Sequence, residues 1–323
     1  MARKRVSPTR TVAVAALVAL VLAGCGSGSK GAGSSTSQSG NPQSAATTTD
    51  ADWKPVADTL GRVGKLGDNN TAYRVALVRN DLQVTTDNVA IKPGLSLGGY
   101  AAFARYDDNQ TLLMGDLVVT EAELPKVTDA LQAHGIAQTG LHKHLLQQTP
   151  PVWWTHVHGM GDAVQLAQGL KAALDATSIG PATPTPAQQP PVDIDTAGIE
   201  QALGRKGTAD GGLFKYSIAR KDTIVEDGHA LPAVPLNLTT VINFQPVGGG
   251  RAAINGDFIL IAPEVQKVIQ ALRAGNIQIV ELHNHGLNEE PRLFYMHYWA
   301  VDDAVTLAKA LRPALDATNL RSG

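Results

Sequence analysis

The chain has 323 residues, with 27 lysines and arginines against 29 aspartates and glutamates, a formal charge of −2 and a single cysteine. One cysteine excludes both a disulfide within the chain and a cysteine-based metal site. A slightly acidic balance excludes nucleic acid as a partner, and the length suggests about two domains.

The first residues are basic (Arg3, Lys4, Arg5, Arg10), and an apolar run follows from Thr11 to Ala23. At 13 residues the run is too short for a membrane-spanning helix, which needs about 20. This pattern reads as a secretory signal peptide over residues 1–24. Leu22-Ala23-Gly24-Cys25 resembles the bacterial lipobox, which implies cleavage before Cys25 and acylation of that cysteine. The expected location is the outer, extracytoplasmic face of the cell membrane, held by the lipid anchor. Removal of the four n-region charges takes the formal charge from −2 to −6, so the acyl group rather than electrostatics carries the membrane contact. Residues 25–50 read as the lipidated cysteine and a flexible Gly/Ser/Thr tether.

From residue 51 the elements of an α+β domain follow in order. Residues 53–64 predict a helix that ends at Gly64. Strands are expected over Tyr73–Arg79 and near 95–105 and 111–119. Thr120 with Glu123 three residues on forms a capping box for a helix whose stripe is Leu124, Val127 and Leu131. Ile136–His144 and Val152–His158 predict two further strands. Asp162 is an N-cap for a last helix with Val164, Leu166, Ala167, Leu170 and Leu174 on one face.

The second half repeats the first at an offset of 141. Between Leu141 and Thr177, 17 of 37 positions are identical to Leu282–Thr318. The equivalent capped helix carries Pro263 in its first turn and stops at Gly275. The copies span residues 51–178 and 193–323, with a linker over 179–192 whose five prolines between Gly180 and Pro191 make it semi-rigid. Short connections between strands favour antiparallel pairing. The expected fold is therefore α+β: two tandem copies of one domain, each a mostly antiparallel sheet with helices packed on it.

Seven of the nine histidines fall in two equivalent windows. Copy one holds His142, His144, His156 and His158; copy two holds His283, His285 and His297. Residues i and i+2 of a strand share a face, so His142 and His144 project together, as do His283 and His285. A neighbouring strand would bring His156 or His297 opposite. Three imidazoles on one face suit zinc or another divalent transition metal, with a position open for water. Glu289 or Glu290 is a candidate fourth ligand or general base in copy two, and His158 stands in for them in copy one. The competing reading is a structural histidine network. Retention of the three positions while neighbours diverged (Lys143 to Asn284, Thr155 to Met296) favours the metal. Asp116 and Asp257, after glycines, read as turn or bulge residues; Asp162 and Asp303 as helix caps; Gly248-Gly249-Gly250 as a hairpin turn.

The run Leu282-His283-Asn284-His285, with Glu289-Glu290-Pro291-Arg292-Leu293, Tyr295-Met296-His297-Tyr298-Trp299 and Asp303-Ala304, resembles the LppY/LpqO family of envelope lipoproteins. The resemblance covers both copies and implies an exported domain of unknown function. Copy one departs from the pattern at Lys143, at the missing acidic pair and at Trp153-Trp154. Three functions remain in view: metal capture or sensing with one site per domain, a metal-dependent hydrolase of an envelope substrate, and a non-catalytic module for a cell-wall glycan or an envelope protein.

Overall fold

A computed structural model of the chain describes residues 41–181 and 188–322. The signal peptide, Cys25 and tether residues 26–40 lie outside the described residues. The rest of the expected tether is not free coil. Gln43–Ser44 pair in parallel with His229–Ala230, the Ala46 N–H donates to the Arg105 carbonyl, and Thr48 is buried. Composition misleads here because backbone hydrogen bonding does not depend on side-chain chemistry.

In copy one, α1 (Lys54–Leu60) carries Pro55 at its start and stops at Gly61, whose φ of 63° closes the helix. The stop falls three residues before the expected Gly64. Gly64 serves close approach instead: a Cβ there would lie 2.6 Å from the Arg74 carbonyl oxygen. Six strands follow: β1 (Lys65–Gly67), β2 (Ala72–Val78), β3 (Gly98–Arg105), β4 (Thr111–Thr120), β5 (Ala137–His142) and β6 (Val152–Gly161). Helix α2 (Leu124–Ala133) precedes β5, and α3 (Ala163–Asp175) follows β6. Copy two repeats them as α4 (Thr196–Leu203), β7 (Thr208–Asp210), β8 (Leu213–Ala219), β9 (Thr239–Gly248), β10 (Arg251–Leu260), α5 (Ala262–Ala274), β11 (Gln278–His283), β12 (Phe294–Asp303) and α6 (Ala304–Asp316). The sheets run β1-β2-β3-β4-β6-β5 and β7-β8-β9-β10-β12-β11, and every pairing within them is antiparallel.

The polar punctuation acts as its chemistry requires. Asp162 accepts from the N–H groups of Val164 and Gln165, and Asp303 from that of Thr306. Thr120 and Glu123 exchange both bonds of the capping box, at 2.8 and 3.3 Å. Gly248, Gly249 and Gly250 turn between β9 and β10 with φ of 92°, 62° and 75°.

Strand alternation gives each sheet two apolar faces. In copy one, Tyr73, Val75, Phe103, Leu113 and Leu117 meet Val56, Val127, Leu131, Leu166 and Leu170 of the helices. The opposite face of the sheet is covered by the other copy: Val118 and Trp154 pack with Ala253 and Trp299. The layers are thus helix, sheet, sheet, helix. Parting the copies would expose both tryptophans, now 0 % and 1 % accessible, at a cost of about 1.5–3 kcal/mol for each large apolar side chain.

Each copy also buries an arginine. Arg220 donates to the Ile259 carbonyl and to Glu264, and pairs with Asp222; Arg79 does the same with Val118, Glu123 and Asp81. These contacts tie the end of β2 or β8 to the start of the following helix. Arg220→Met should cost about 3–5 kcal/mol, because Glu264 is left buried and unpaired. Urea denaturation checks this, and a change below about 1 kcal/mol would mean the carboxylate had found water.

Candidate metal centre

β6 and β12 lie one strand in from the edge, and each carries a histidine at its middle. His156 sits opposite Asp116 of β4, and His297 opposite Asp257 of β10. All four side chains lie on the inner faces, opposite to Val157 and its helix-side neighbours. The edge strands β5 and β11 supply His142 and His283 and are each bulged, between Gln138 and Gly140 and between Ile279 and Glu281. The strands end at His142 and His283, so the expected strand Ile136–His144 stops two residues early and His144 and His285 lie just beyond the strand ends. The chain still returns them to the same place: His144 and His142 meet Nε2 to Nε2 at 3.1 Å.

The two edges face each other, and the six imidazoles form one cluster rather than one per domain. His142 and His283 stack with centroids 3.6 Å apart and planes 13° from parallel. Around that pair the ring-to-ring relations are doubled. His144 lies 3.9 Å from His297, and His285 lies 3.7 Å from His156. His142–His156 is 4.8 Å and His283–His297 is 4.9 Å. His144 stacks on Trp154, and His285 on Tyr295. Asp116 stands 3.7 Å from His144, and Asp257 3.8 Å from His285. The duplication has become a local pseudo-twofold axis.

Contacts between the copies fix the loops. The Asn255 amide donates to the carbonyls of His144 and Tyr298, at 2.7 and 3.0 Å. The Thr139 hydroxyl donates to the His285 carbonyl at 2.5 Å. Ser96 donates to Asn255 at 2.8 Å.

The ring nitrogens define the chemistry. His156 Nδ1 faces the Gly115 carbonyl at 3.3 Å, and His297 Nδ1 faces the Gly256 carbonyl at 2.9 Å. A carbonyl only accepts, so Nδ1 carries the proton and Nε2 is a bare lone pair. Both Nε2 atoms are buried without a hydrogen-bond partner among the described residues, as are His142 Nδ1, both nitrogens of His283, His285 Nδ1 and Asp116 Oδ1. Three sets bring one ligand atom per residue within 4.8 Å of one another: His142–His283–His297, His156–His283–His285 and Asp116–His142–His156.

Burial, and then the neighbouring rings, hold His142, His144 and His285 well below the ordinary imidazole pKa; burial and the rings of His297 and His156 do the same for His283. Burial is the first cause for His156 and His297 as well, which fall to about 3 and about 4. Burial raises Asp116 to about 8, with help from Asp257 and against the pull of Arg74, and raises Asp257 to about 7. The cluster thus keeps its imidazoles neutral, the form a metal requires.

Two expected residues lie elsewhere. His158 points away along the same inner face and pairs with Glu226 at 2.8 Å, since two residues along β6 is far enough to leave the centre. Glu290 is exposed, with its backbone bridged to Val225. Glu289 is buried near His285, accepting from the Leu293 N–H at 3.1 Å while Oε2 has no partner among the described residues. Sequence reading passed over Asp116 and Asp257. Their recurrence was visible, but the strand register that places them beside histidines was not. Gly115 and Gly256 precede them for a steric reason: a Cβ would collide with the Tyr100 and Val241 carbonyl oxygens, respectively.

Fold and site together define a tandem-duplicated α+β protein built around one shared histidine centre. The chain belongs to the family described as Domain of Unknown Function (DUF1259), whose model matches residues 54–176 and 197–317, one stretch per copy. A search of curated proteins finds no match. Among solved structures the chain is similar to microcompartment shell proteins. The double-ringed trimeric shell protein MSM0271 from the RMM microcompartment is 15 % identical over 64 % of this chain and 82 % of its own, with a TM-score of 0.19. The trimeric bacterial shell protein PduB is 13 % identical over 79 % and 89 %, with a TM-score of 0.17. EtuB from Clostridium kluyveri is 10 % identical over 78 % and 88 %, with a TM-score of 0.18. Similarity this distant bears on neither the architecture nor the function. Among the described residues no helix is long and apolar enough to cross a membrane.

Proposed function

We propose that the chain binds a single divalent transition metal ion, zinc or a neighbour of it, at the centre shared by its two copies. The observation that carries this is the pair His156 and His297. Each is held in the Nδ1–H tautomer by a glycine carbonyl and presents an unpartnered Nε2 inside the molecule. Ligating histidines are oriented by such outer bonds, whereas buried polar atoms of a purely structural network are expected to be paired. His142, His283, His144 and His285 complete the donor set, and the carboxyl groups of Asp116 and Asp257 stand beside it.

The signal-peptide and lipobox pattern and the LppY/LpqO resemblance support an exported lipoprotein, anchored through Cys25 on the outer face of the cell membrane. There the centre would serve metal capture or sensing. A metal-dependent hydrolase is the second reading. It is favoured by the carboxyl groups of Asp116 and Asp257, which stand closer to the rings than Glu290 does and could move a proton to or from bound water.

The test is elemental analysis of the purified chain before and after dialysis against a chelator, followed by reloading with zinc. The expected result is about one ion per chain, removed by the chelator and restored by zinc, with a higher thermal midpoint in the loaded form. No bound metal before dialysis and no uptake afterwards would leave the structural network as the reading.

A further inference from the structure

A cavity of about 130 Å³ lies between the inner faces of the two sheets and ends on the histidine centre. His144, His285, His297, Asp116 and Asp257 form that end. Ser96, Asn237, Asn243 and Asn255 line the rest, together with Arg74 and Tyr100.

The pseudo-twofold breaks at Arg74. Its counterpart at the 141 offset is Lys215, which is paired with Asp210 at 2.7 Å. Arg74 instead lies over the Tyr100 ring, 3.6 Å from the centroid, and donates to the Pro235 carbonyl. It forms no ion pair among the described residues. Arg79 and Arg220, by contrast, each hold two carboxylates. The carboxyl of Asp116 acts on it only across the cavity, beyond ion-pair distance, and a half-buried guanidinium held at that range is completed by an anion that reaches it directly. Asn237 adds a second donor: its side-chain amide has no hydrogen bond among the described residues, and it lines the same cavity.

Resting on the metal reading for its chemistry, though not for its binding, we infer that this cavity takes a small organic carboxylate. Arg74 and Asn237 hold its carboxylate, and its other end reaches His144, His285 and His297. The fork of a guanidinium matches a carboxylate with two parallel bonds. The volume corresponds to about four waters at ~30 Å³ each, which admits a few heavy atoms and excludes a nucleotide or a glycan. Arg74 is the one lysine or arginine in the lining, which suits a single negative charge over the double charge of phosphate.

The test titrates glycolate and inorganic phosphate separately into the full chain at constant ionic strength, by calorimetry, with metal content measured in the same samples. Glycolate should bind one per chain and more tightly than phosphate. Arg74→Met should weaken it by about tenfold or more, the range of a charged hydrogen bond, and leave metal content unchanged. Asn237→Gly should weaken it severalfold without strain, because position 237 has a φ of 58° that glycine adopts freely; this variant decides the matter if Arg74→Met fails to fold. Absent glycolate binding, tighter binding of phosphate, or wild-type affinity in both variants overturns the inference. Glycolate binding that depends on Arg74 in a chain devoid of metal upholds the inference and removes the metal reading. Bound metal without glycolate binding does the opposite.

Discussion

Replacing His283 alone with alanine should cost the protein most of its metal, although all the histidines of copy one are intact. Two independent domains would instead keep half. The reason is that any two of the three ligand sets share a histidine: His283, His142 or His156. Ions cannot fill two sets without contesting the shared ring, so one ion per chain is expected. His283 sits in two of the three sets and stacks on His142 at 3.6 Å. Its loss leaves only Asp116–His142–His156, two imidazoles and a carboxyl that burial raises to about 8, and removes the stacked partner of His142. His142→Ala should also lower the metal content, since His142 too sits in two of the three sets. His158→Ala should retain full metal content, because that ring is committed to Glu226. Elemental analysis of the three variants beside the wild type checks this. Half occupancy in His283→Ala would restore the one-site-per-domain picture and sink the shared centre.

The metal-free chain should lose stability steeply as the pH falls from 7 to 5. In the unfolded chain a histidine titrates near ~6.5 and an aspartate near ~3.9. In the folded chain all six clustered imidazoles are depressed, His156 to about 3 and His297 to about 4. Between those values and 6.5 the unfolded state binds protons that the folded state refuses, so their stabilisation is complete above 6.5 and is lost on acidification. Asp116 and Asp257 act in the opposite sense. Raised to about 8 and about 7, they hold protons in the folded state that the unfolded state has released. Six imidazoles outnumber two carboxyls, which leaves the unfolded chain ahead by up to four protons. Each contributes a slope of about 1.4 kcal/mol per pH unit. Thermal midpoints at pH 7.5, 6.5 and 5.5 check this. His142→Phe with His283→Phe keeps the stacked pair but not its titration, and should flatten the slope by about half. A midpoint independent of pH in that window would show that the cluster is open to water. Bound metal should push the transition to lower pH, since protons must then displace it.

The duplication, the antiparallel α+β class and the identity of the clustered histidines follow from sequence alone. Repeats, capping residues and two-residue periodicity are local properties of the chain, and each records its physical cause within a few neighbouring positions. Thr120 with Glu123, Asp162, Asp303 and the glycine turn at 248–250 are such cases, where residue and bonding partner lie close in the sequence. What only the tertiary structure decided is how the copies meet. Periodicity shows that a strand has an inner face but not what covers it. The sheets cover each other, which merges two expected sites into one, sends His158 to Glu226 and brings Asp116 and Asp257 beside the rings. Register and packing between segments 141 residues apart are long-range outcomes of burying both apolar faces at once, and no local pattern encodes them.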